Sequence, residues 1–271
     1  MEDGSQVRAR RILNPWLTSD HTKLLVFDQR TAILGGMNIG QEYHGEWHDL
    51  MAKVEGPIAH SLARKFNRTW RKNGLWGDLA LLRKPERLTQ PPPPVPGCIP
   101  LRVLRTDPAE GRDEIHDALM LAIRGARQRI WVQTPYLCHA NIVGAMAAAA
   151  KRGVDVRVIL PGKSDSTIMQ AANLSAADDL LRAGARVYRY PGMTHMKVAI
   201  CDGWATFGSA NLDTLSMKLS RELNLAFADP ATLRGLERAI FAKDFPVAKP
   251  LTLADTAGFG NRLVRILTDQ L

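Results

Sequence analysis

Short apolar stretches with strand-like or helical spacing recur along the chain and predict two unequal sets of elements. In the first part, KLLVF at 23–27 reads as a buried strand and TAIL at 31–34 as its hairpin partner across the turn Asp28-Gln29-Arg30. Gly35 and Gly36 follow, where glycine is expected to break the pairing and let the backbone pass close to a neighbour. Residues 47–54 alternate loosely as a third strand. Pro57 then opens a helix, PIAHSLARKFNRTWRKNG, with apolar residues at 58, 62, 66 and 70 and an end at Gly74.

Residues 83–100, RKPERLTQPPPPVPGCIP, cannot hold a helix or an interior strand, because each proline removes a backbone donor and fixes φ. Beyond this linker the pattern alternates. Strands are expected at 101–104, 129–133, 154–160 and 186–190, with helices at 113–127, 139–152 and 166–183. A hairpin after His195, a strand at 222–228 and a helix at 231–243 complete the series. The fold class is therefore α/β, with helices packed on a mostly parallel sheet. The division is 1–82 for a partial first half, 83–100 for the linker, 101–246 for a second half and 247–271 for a weakly amphipathic tail.

One pattern occurs twice. The run from His21 to Asn38 and the run from His195 to Asn211 both read His-x-Lys, four residues, Asp, a short hairpin, a small pair, then x-Asn. His21 maps to His195 at an offset of 174, whereas Asn38 to Asn211 and Asp49 to Glu222 map at 173. The second hairpin has therefore lost one residue: six separate Asp28 from Gly35, but five separate Asp202 from Gly208. Asp49 and Glu222 each stand eleven residues after the motif Asn and open a strand. Two halves related by a pseudo-two-fold, with both motifs at the seam, are expected. Upstream of its His, the first half lacks the βα units that precede His195. Truncation of a longer chain is one explanation. The other is a shortened first sheet whose edge needs cover, from a further N-terminal segment or an oligomer partner.

With 271 residues, 45% apolar and 23% charged, the chain can bury a real core. Its net charge of +9 implies a polyanionic neighbour, either nucleic acid or an anionic membrane face. Cys98, Cys138 and Cys201 are odd in number and lack ligand-like spacing, which fits free thiols in a reducing cytoplasm and argues against structural zinc. No run reaches the roughly eighteen apolar residues of a membrane span, and MEDGSQVRARR lacks a signal-peptide core. A soluble or peripheral chain is expected.

The repeated residues suit phosphodiester chemistry without a metal, which needs a nucleophile, an acid and fixed positive charge on the non-bridging oxygens. On a strand, residues two apart share a face, so His21 with Lys23 and His195 with Lys197 project together. Lys23, Lys197, Asn38 and Asn211 can donate to phosphoryl oxygens, and Ser209 adds a hydroxyl where the first copy has Gly36. Gly36 and Gly208 belong to the same phosphate-binding turns. Two imidazoles titrating near neutrality can divide attack and protonation. Asp49 and Glu222 are placed by the repeat to accept from the far ring nitrogen of a His and hold its tautomer. Asp28 and Asp202 sit at the hairpin turns, farther off, in a supporting place.

The phrases HTKLLVFDQRTAILGGMNIGQEY, WVQTPYL, KRGVDVRVILPGKSD and GSANLDTLS…SRELNLAF span most of residues 12–245. Together with the twin His-x-Lys-x4-Asp motifs, they resemble the phospholipase D superfamily in its bacterial cardiolipin synthase branch. The resemblance implies two phospholipase D-like halves with mixed sheets flanked by helices. It further implies a phosphohistidine intermediate, with His21 as nucleophile, His195 as acid and then base, and Asp28 and Asp202 counted among the catalytic motif residues. No cofactor and no metal are expected. The implied partners are an anionic phospholipid such as phosphatidylglycerol and a membrane surface. The implied location is peripheral, on the cytoplasmic side of the bacterial inner membrane. Hydrolysis by the same cup, as in a phospholipase D, is the nearest alternative. A phosphodiesterase or nuclease is permitted by the basic charge, but the lipid-branch phrases argue against nucleic acid as partner. An inactive truncated remnant that only binds membrane is the reading outside enzymology.

The remaining candidates read as structural. His44 and His48 stand four apart but have no third ligand, and His60, His116 and His139 fall on helices or their ends. Trp131, Tyr136 and Trp204 read as core aromatics, with Tyr136 at the strand edge where such sheets place ligands. Arg64, Lys65, Arg68, Arg71 and Lys72 form a basic helix face that could meet anionic lipid.

Overall fold

In the computed structural model, which describes residues 19–72, 90, 91, 93, 94 and 96–257, the first apolar runs form a three-stranded antiparallel sheet. Its strands are β1 (Leu24–Phe27), β2 (Thr31–Gly35) and β3 (Met51–Glu55), in that order. The hairpin turns through Asp28 and Gln29, both with φ above zero (50° and 58°), a conformation that Asp and Asn tolerate better than most residues. β3 begins later than expected, because His48 is drawn off to pair with the other half, where it forms a parallel bridge with Thr194. Gly35 does not break the ladder but pairs with Met51, and a Cβ there would lie 2.0 Å from the Leu50 carbonyl oxygen. The helix α1 (Pro57–Lys72) follows. Residues 1–18, the expected stop at Gly74, linker residues 83–89, 92 and 95, and tail residues 258–271 lie outside the described residues.

The rest of the chain builds a nine-stranded mixed sheet. In chain order its elements are β4 (Arg102–Asp107), β5 (Arg112–Asp113), α2 (Glu114–Gly125), β6 (Arg129–Gln133), α3 (Ala140–Lys151), β7 (Asp155–Pro161), α4 (Thr167–Arg182) and β8 (Arg186–Tyr190). There follow the hairpin β9 (Val198–Cys201) and β10 (Trp204–Gly208), then β11 (Glu222–Phe227), α5 (Pro230–Ala239), α6 (Phe241–Val247), β12 (Lys249–Pro250) and α7 (Leu253–Thr256). The strand order is β12-β8-β7-β6-β9-β10-β11-β4-β5, with β6, β7 and β8 parallel and the other pairings antiparallel. The predicted helix at 231–243 is two helices, broken at Ile240. The break swings Phe241 and Phe245 onto Trp131, with ring centroids 5.8 and 5.4 Å away. The start of the tail is also built in, because β12 pairs with β8.

Side chains alternate across the large sheet, so each face has its own core. Ala199 and Cys201 face a cluster with Ile115, Leu119 and Ile123 of α2, Met146 of α3 and Leu180 of α4. Val198 and Ile200 face the other way, into a cluster that includes Ala32 and Leu34 of β2 and Ala59 and Leu62 of α1. The small sheet is thus fastened to the large one by core packing. Fully buried Leu34 and Leu62 contribute roughly 2 kcal/mol each by leaving water. The one-residue loss in the second hairpin is absorbed at its turn. Three residues separate Phe27 from its partner Thr31, but two separate Cys201 from Trp204. The register beyond is kept, with Leu24 opposite Leu34 and Val198 opposite Phe207.

Among the described residues the outer edge of β1 carries no strand, and Leu25 and Phe27 are about half exposed there. The basic face of α1 is not simply solvated. Arg68 pairs with Glu110 at 2.8 Å, and burial holds the Lys65 amine below its usual range, opposed by Asp20 and Asp107. No helix among the described residues is long and apolar enough to cross a membrane.

Candidate active site

Both motif histidines precede the first strand of a hairpin, and the two hairpins end at the same seam. His21 is held by its N–H donating to the Arg221 carbonyl at 3.0 Å, and His195 by its N–H donating to the His48 carbonyl at 2.7 Å. Each His is therefore anchored to the opposite half. The side chains cross in the same way. Nδ1 of His21 lies 2.8 Å from Oε1 of Glu222, and Nδ1 of His195 lies 2.8 Å from Oδ2 of Asp49. Both carboxyl groups are shut off from solvent. With Nδ1 engaged, Nε2 of His21 is the ring nitrogen left for chemistry, while Nε2 of His195 has Lys197 Nζ beside it at 2.9 Å.

The strand period puts each motif lysine beside its own histidine. Lys23 Nζ donates to the His21 carbonyl at 2.8 Å, and Lys197 Nζ donates to the His195 carbonyl at 2.7 Å. Lys197 Nζ also lies 2.8 and 2.9 Å from the two ring nitrogens of His195. Burial lowers Lys23 from 10.5 to about 8, opposed by Glu222, Asp49 and Asp20. Burial lowers Lys197 to about 7, opposed chiefly by Asp49 and reinforced by the charge of Lys23. His195 is held below its usual value by burial, against its hydrogen bond to the Asp49 carboxylate and in line with the repulsion of Lys197 and Lys23. Two lysines and two carboxylates thus share one low-dielectric volume, in which Asp49 and Glu222 favour the charged form of both lysines against burial.

The small residues serve the carboxylates. A Cβ at Gly36 would lie 2.4 Å from Asp49 Oδ1 and 3.0 Å from the His195 carbonyl oxygen, so glycine makes room for the Asp49–His195 contact. In the second copy Ser209 stands there, and its hydroxyl donates to Oε2 of Glu222. The sequence expectation that Ser209 donates to phosphate therefore needs correction: its one proton is committed to the carboxylate. At Gly208 a Cβ would meet the Leu223 carbonyl at 2.2 Å, so this glycine serves strand packing. The asparagines are unlike. Asn38 is exposed and donates to the Tyr43 hydroxyl at 2.9 Å. Asn211 is buried, and its Oδ1 has no partner among the described residues.

Asp28 and Asp202 do not join the imidazoles. Each stands five residues beyond its lysine, roughly 16 Å away at the rise of an extended strand. The Asp202 carboxylate accepts from the backbone N–H groups of Arg127, Gln128 and Arg129 at 2.8 to 2.9 Å, which fixes the entry to β6. Its role is structural because the hairpin carries it to the far end of the strands.

Two aromatic residues that the motifs do not contain complete the site. Tyr43 and Trp47 pack on the His195 ring, with centroids 5.3 and 5.4 Å away. Two aromatics between Asn38 and Asp49, in a loop that must return to the seam, were the available sequence signal. Tyr136 sits at the same edge, its hydroxyl donating to Asp165 at 2.7 Å. His48 pairs with Asp244 at 2.8 Å and stacks on Tyr190, while His116 packs on His139. Among the described residues no group of three or more His, Cys, Asp or Glu side chains could hold a metal ion.

Residues 119–244 match the family described as "Cardiolipin synthase, PLD-like domain". The chain belongs to the phospholipase D superfamily. Within it, the sequence is similar to the cardiolipin synthase branch. It is 32% identical over 272 residues to cardiolipin synthase A of Pseudomonas syringae pv. syringae, covering 94% of this chain and 54% of that one. It is 35% identical over 242 residues to a probable cardiolipin synthase of Bacillus subtilis, covering 86% and 47%. The chain thus spans about half the length of the curated relatives it matches. Phosphatidylserine synthase of Haemophilus influenzae shares the fold, with a TM-score of 0.66 at 16% identity over 93% of this chain and 68% of that one. So does Nuc of Salmonella typhimurium, a phospholipase D family member, with a TM-score of 0.50 at 19% identity over 56% and 97%.

Proposed function

We propose that this chain carries the twin-histidine centre of a phosphatidyl transferase of cardiolipin synthase type, acting on an anionic phospholipid such as phosphatidylglycerol at a membrane surface. The observation that carries this reading is the reciprocal pairing, His21 on Glu222 and His195 on Asp49, which gives each half's base the other half's carboxylate. Nε2 of His21 attacks phosphorus and forms the P–N bond as the P–O bond to the leaving alcohol breaks. His195 gives its Nε2 proton to that departing oxygen. An acceptor hydroxyl then loses its proton to His195 while its oxygen attacks phosphorus and the P–N bond breaks. Lys23 and Lys197 hold the non-bridging oxygens. The side chain of His21 is 31% exposed against 6% for His195, which favours His21 as the group that reaches a lipid phosphorus. No metal enters these steps, and the binding is peripheral, on the cytoplasmic face of the membrane.

Incubation with phosphatidylglycerol, acid quench and intact mass measurement test the proposal. A phosphatidyl adduct is expected on the wild-type chain and none on His21→Ala. An adduct that survives in His21→Ala and vanishes in His195→Ala would reverse the two roles.

A further inference from the structure

Transfer and hydrolysis share the phosphohistidine and differ only in which hydroxyl reaches it, so something around His195 must choose the acceptor. We propose that Tyr43 and Trp47 form an aromatic wall that keeps water from His195 and thereby selects a lipid alcohol as acceptor. This rests on the transferase reading above.

The wall is built and pinned. A single 3-10 turn, Gln41–His44, buries Tyr43, and Trp47 is tied to it by its N–H donating to the Glu42 carbonyl at 2.9 Å. The segment is fastened at both ends. Asn38 donates to the Tyr43 hydroxyl at one end. At the other, His48 donates its N–H to the Met193 carbonyl at 3.0 Å, bonds Asp244 through its ring and stacks on Tyr190. The rings therefore stand against His195, which is 5% exposed.

The repeat shows that this wall belongs to one half and not to the other. Both connecting loops run from a motif Asn to a strand-opening carboxylate, at 38–49 and 211–222. At the offset of 173 residues, Tyr43 and Trp47 correspond to Ser216 and Ser220. The half that faces His195 has aromatics where the half that faces His21 has serines, and His21 is the more exposed imidazole.

In the second step the acceptor O–H bond breaks, its proton goes to His195, its oxygen bonds phosphorus and the electron pair of the P–N bond returns to His21. Water at this place would need hydrogen-bond partners that aromatic faces do not offer, whereas the carbon skeleton of a glycerol head group can pack on them. Removing the wall admits water to His195 and diverts the intermediate.

The experiment uses phosphatidylglycerol vesicles and measures phosphatidic acid against diphosphatidylglycerol by mass spectrometry, with the adduct trapped in parallel. Trp47→Ala is expected to raise the ratio of hydrolysis to transfer by about tenfold, the lower end of what one apolar contact contributes to discrimination. Trp47→Phe, which keeps a ring, should return the ratio close to that of the wild type, and a fold defect would not separate the two products this way. An adduct with an unchanged ratio in both Trp47→Ala and Tyr43→Ala overturns the wall alone. No adduct on the wild-type chain overturns the transferase reading and the wall together.

Discussion

Glu222 orients a histidine 201 residues away, with Oε1 2.8 Å from Nδ1 of His21, and it does so across the seam between the two sheets. Neither half can present a poised imidazole alone, because the partner carboxylate of each His lies in the other half. Glu222→Gln should therefore disable the nucleophile without touching its own half's His195. A fall in turnover on the order of 10^3 to 10^4 is expected, the scale at which losing the orienting carboxylate disables a catalytic histidine. Single-turnover adduct formation on phosphatidylglycerol measures it.

The same crossing separates the two steps. A p-nitrophenyl leaving group needs no proton, so a substrate carrying it bypasses the acid in the first step. Asp49→Asn and His195→Ala should both keep a burst of nitrophenol equal to one site and then stall, whereas Glu222→Gln should lose the burst. A burst lost in Asp49→Asn as well would place Asp49 on the nucleophile.

The lysines predict opposite responses of binding and stability to pH. Lys23 and Lys197 are lowered to about 8 and about 7, so their positive charge is lost as pH rises through these values. Tungstate, whose own charge is constant in this range, should bind more weakly at each step upward, with proton uptake visible by calorimetry in two buffers of different ionisation enthalpy. Stability moves the other way. Both folded values lie below the unfolded 10.5, so between them the unfolded chain binds more protons and the lysines favour folding increasingly as pH rises. Urea unfolding of Lys197→Met should lack the share of that slope which begins near pH 7.

Gly36 and Ser209 occupy matching positions with unlike duties. Gly36→Ala puts a Cβ 2.4 Å from Asp49 Oδ1, so the carboxylate must move. A stability loss of about 1–3 kcal/mol is expected from the overpacking, together with the kinetic pattern of Asp49→Asn. Ser209→Ala only releases one oxygen of Glu222 and should cost about 1–2 kcal/mol. Thermal denaturation and the nitrophenol burst distinguish the two.

Asp202 tests whether every residue of the motif is chemical. Its carboxylate holds three backbone N–H groups at the start of β6, far from the imidazoles. Asp202→Ala should lower stability by about 1.5–3 kcal/mol, as expected for lost bonds to a charged acceptor, while the adduct still forms at 25 °C.

The linear sequence by itself marked most of the strands and helices and the twin His-x-Lys motifs. Alternation at 129–133 and 186–190 marked two strands to the residue, because both are local apolar runs bounded by turns. The spacing of two in His-x-Lys placed each lysine on its histidine's face, since a strand repeats every second residue. The helix break at Ile240 was hidden, because the packing of Phe241 and Phe245 on Trp131 overrides a continuous local pattern. Only the tertiary structure decided which carboxylate serves which imidazole. It also committed the Ser209 hydroxyl to Glu222, sent Asp202 to the far end of its hairpin and brought Tyr43 and Trp47 onto His195. Each of these depends on two segments more than a hundred residues apart, or on the course of a hairpin in space. No local periodicity carries that information, because it is set by how the small sheet packs on the large one.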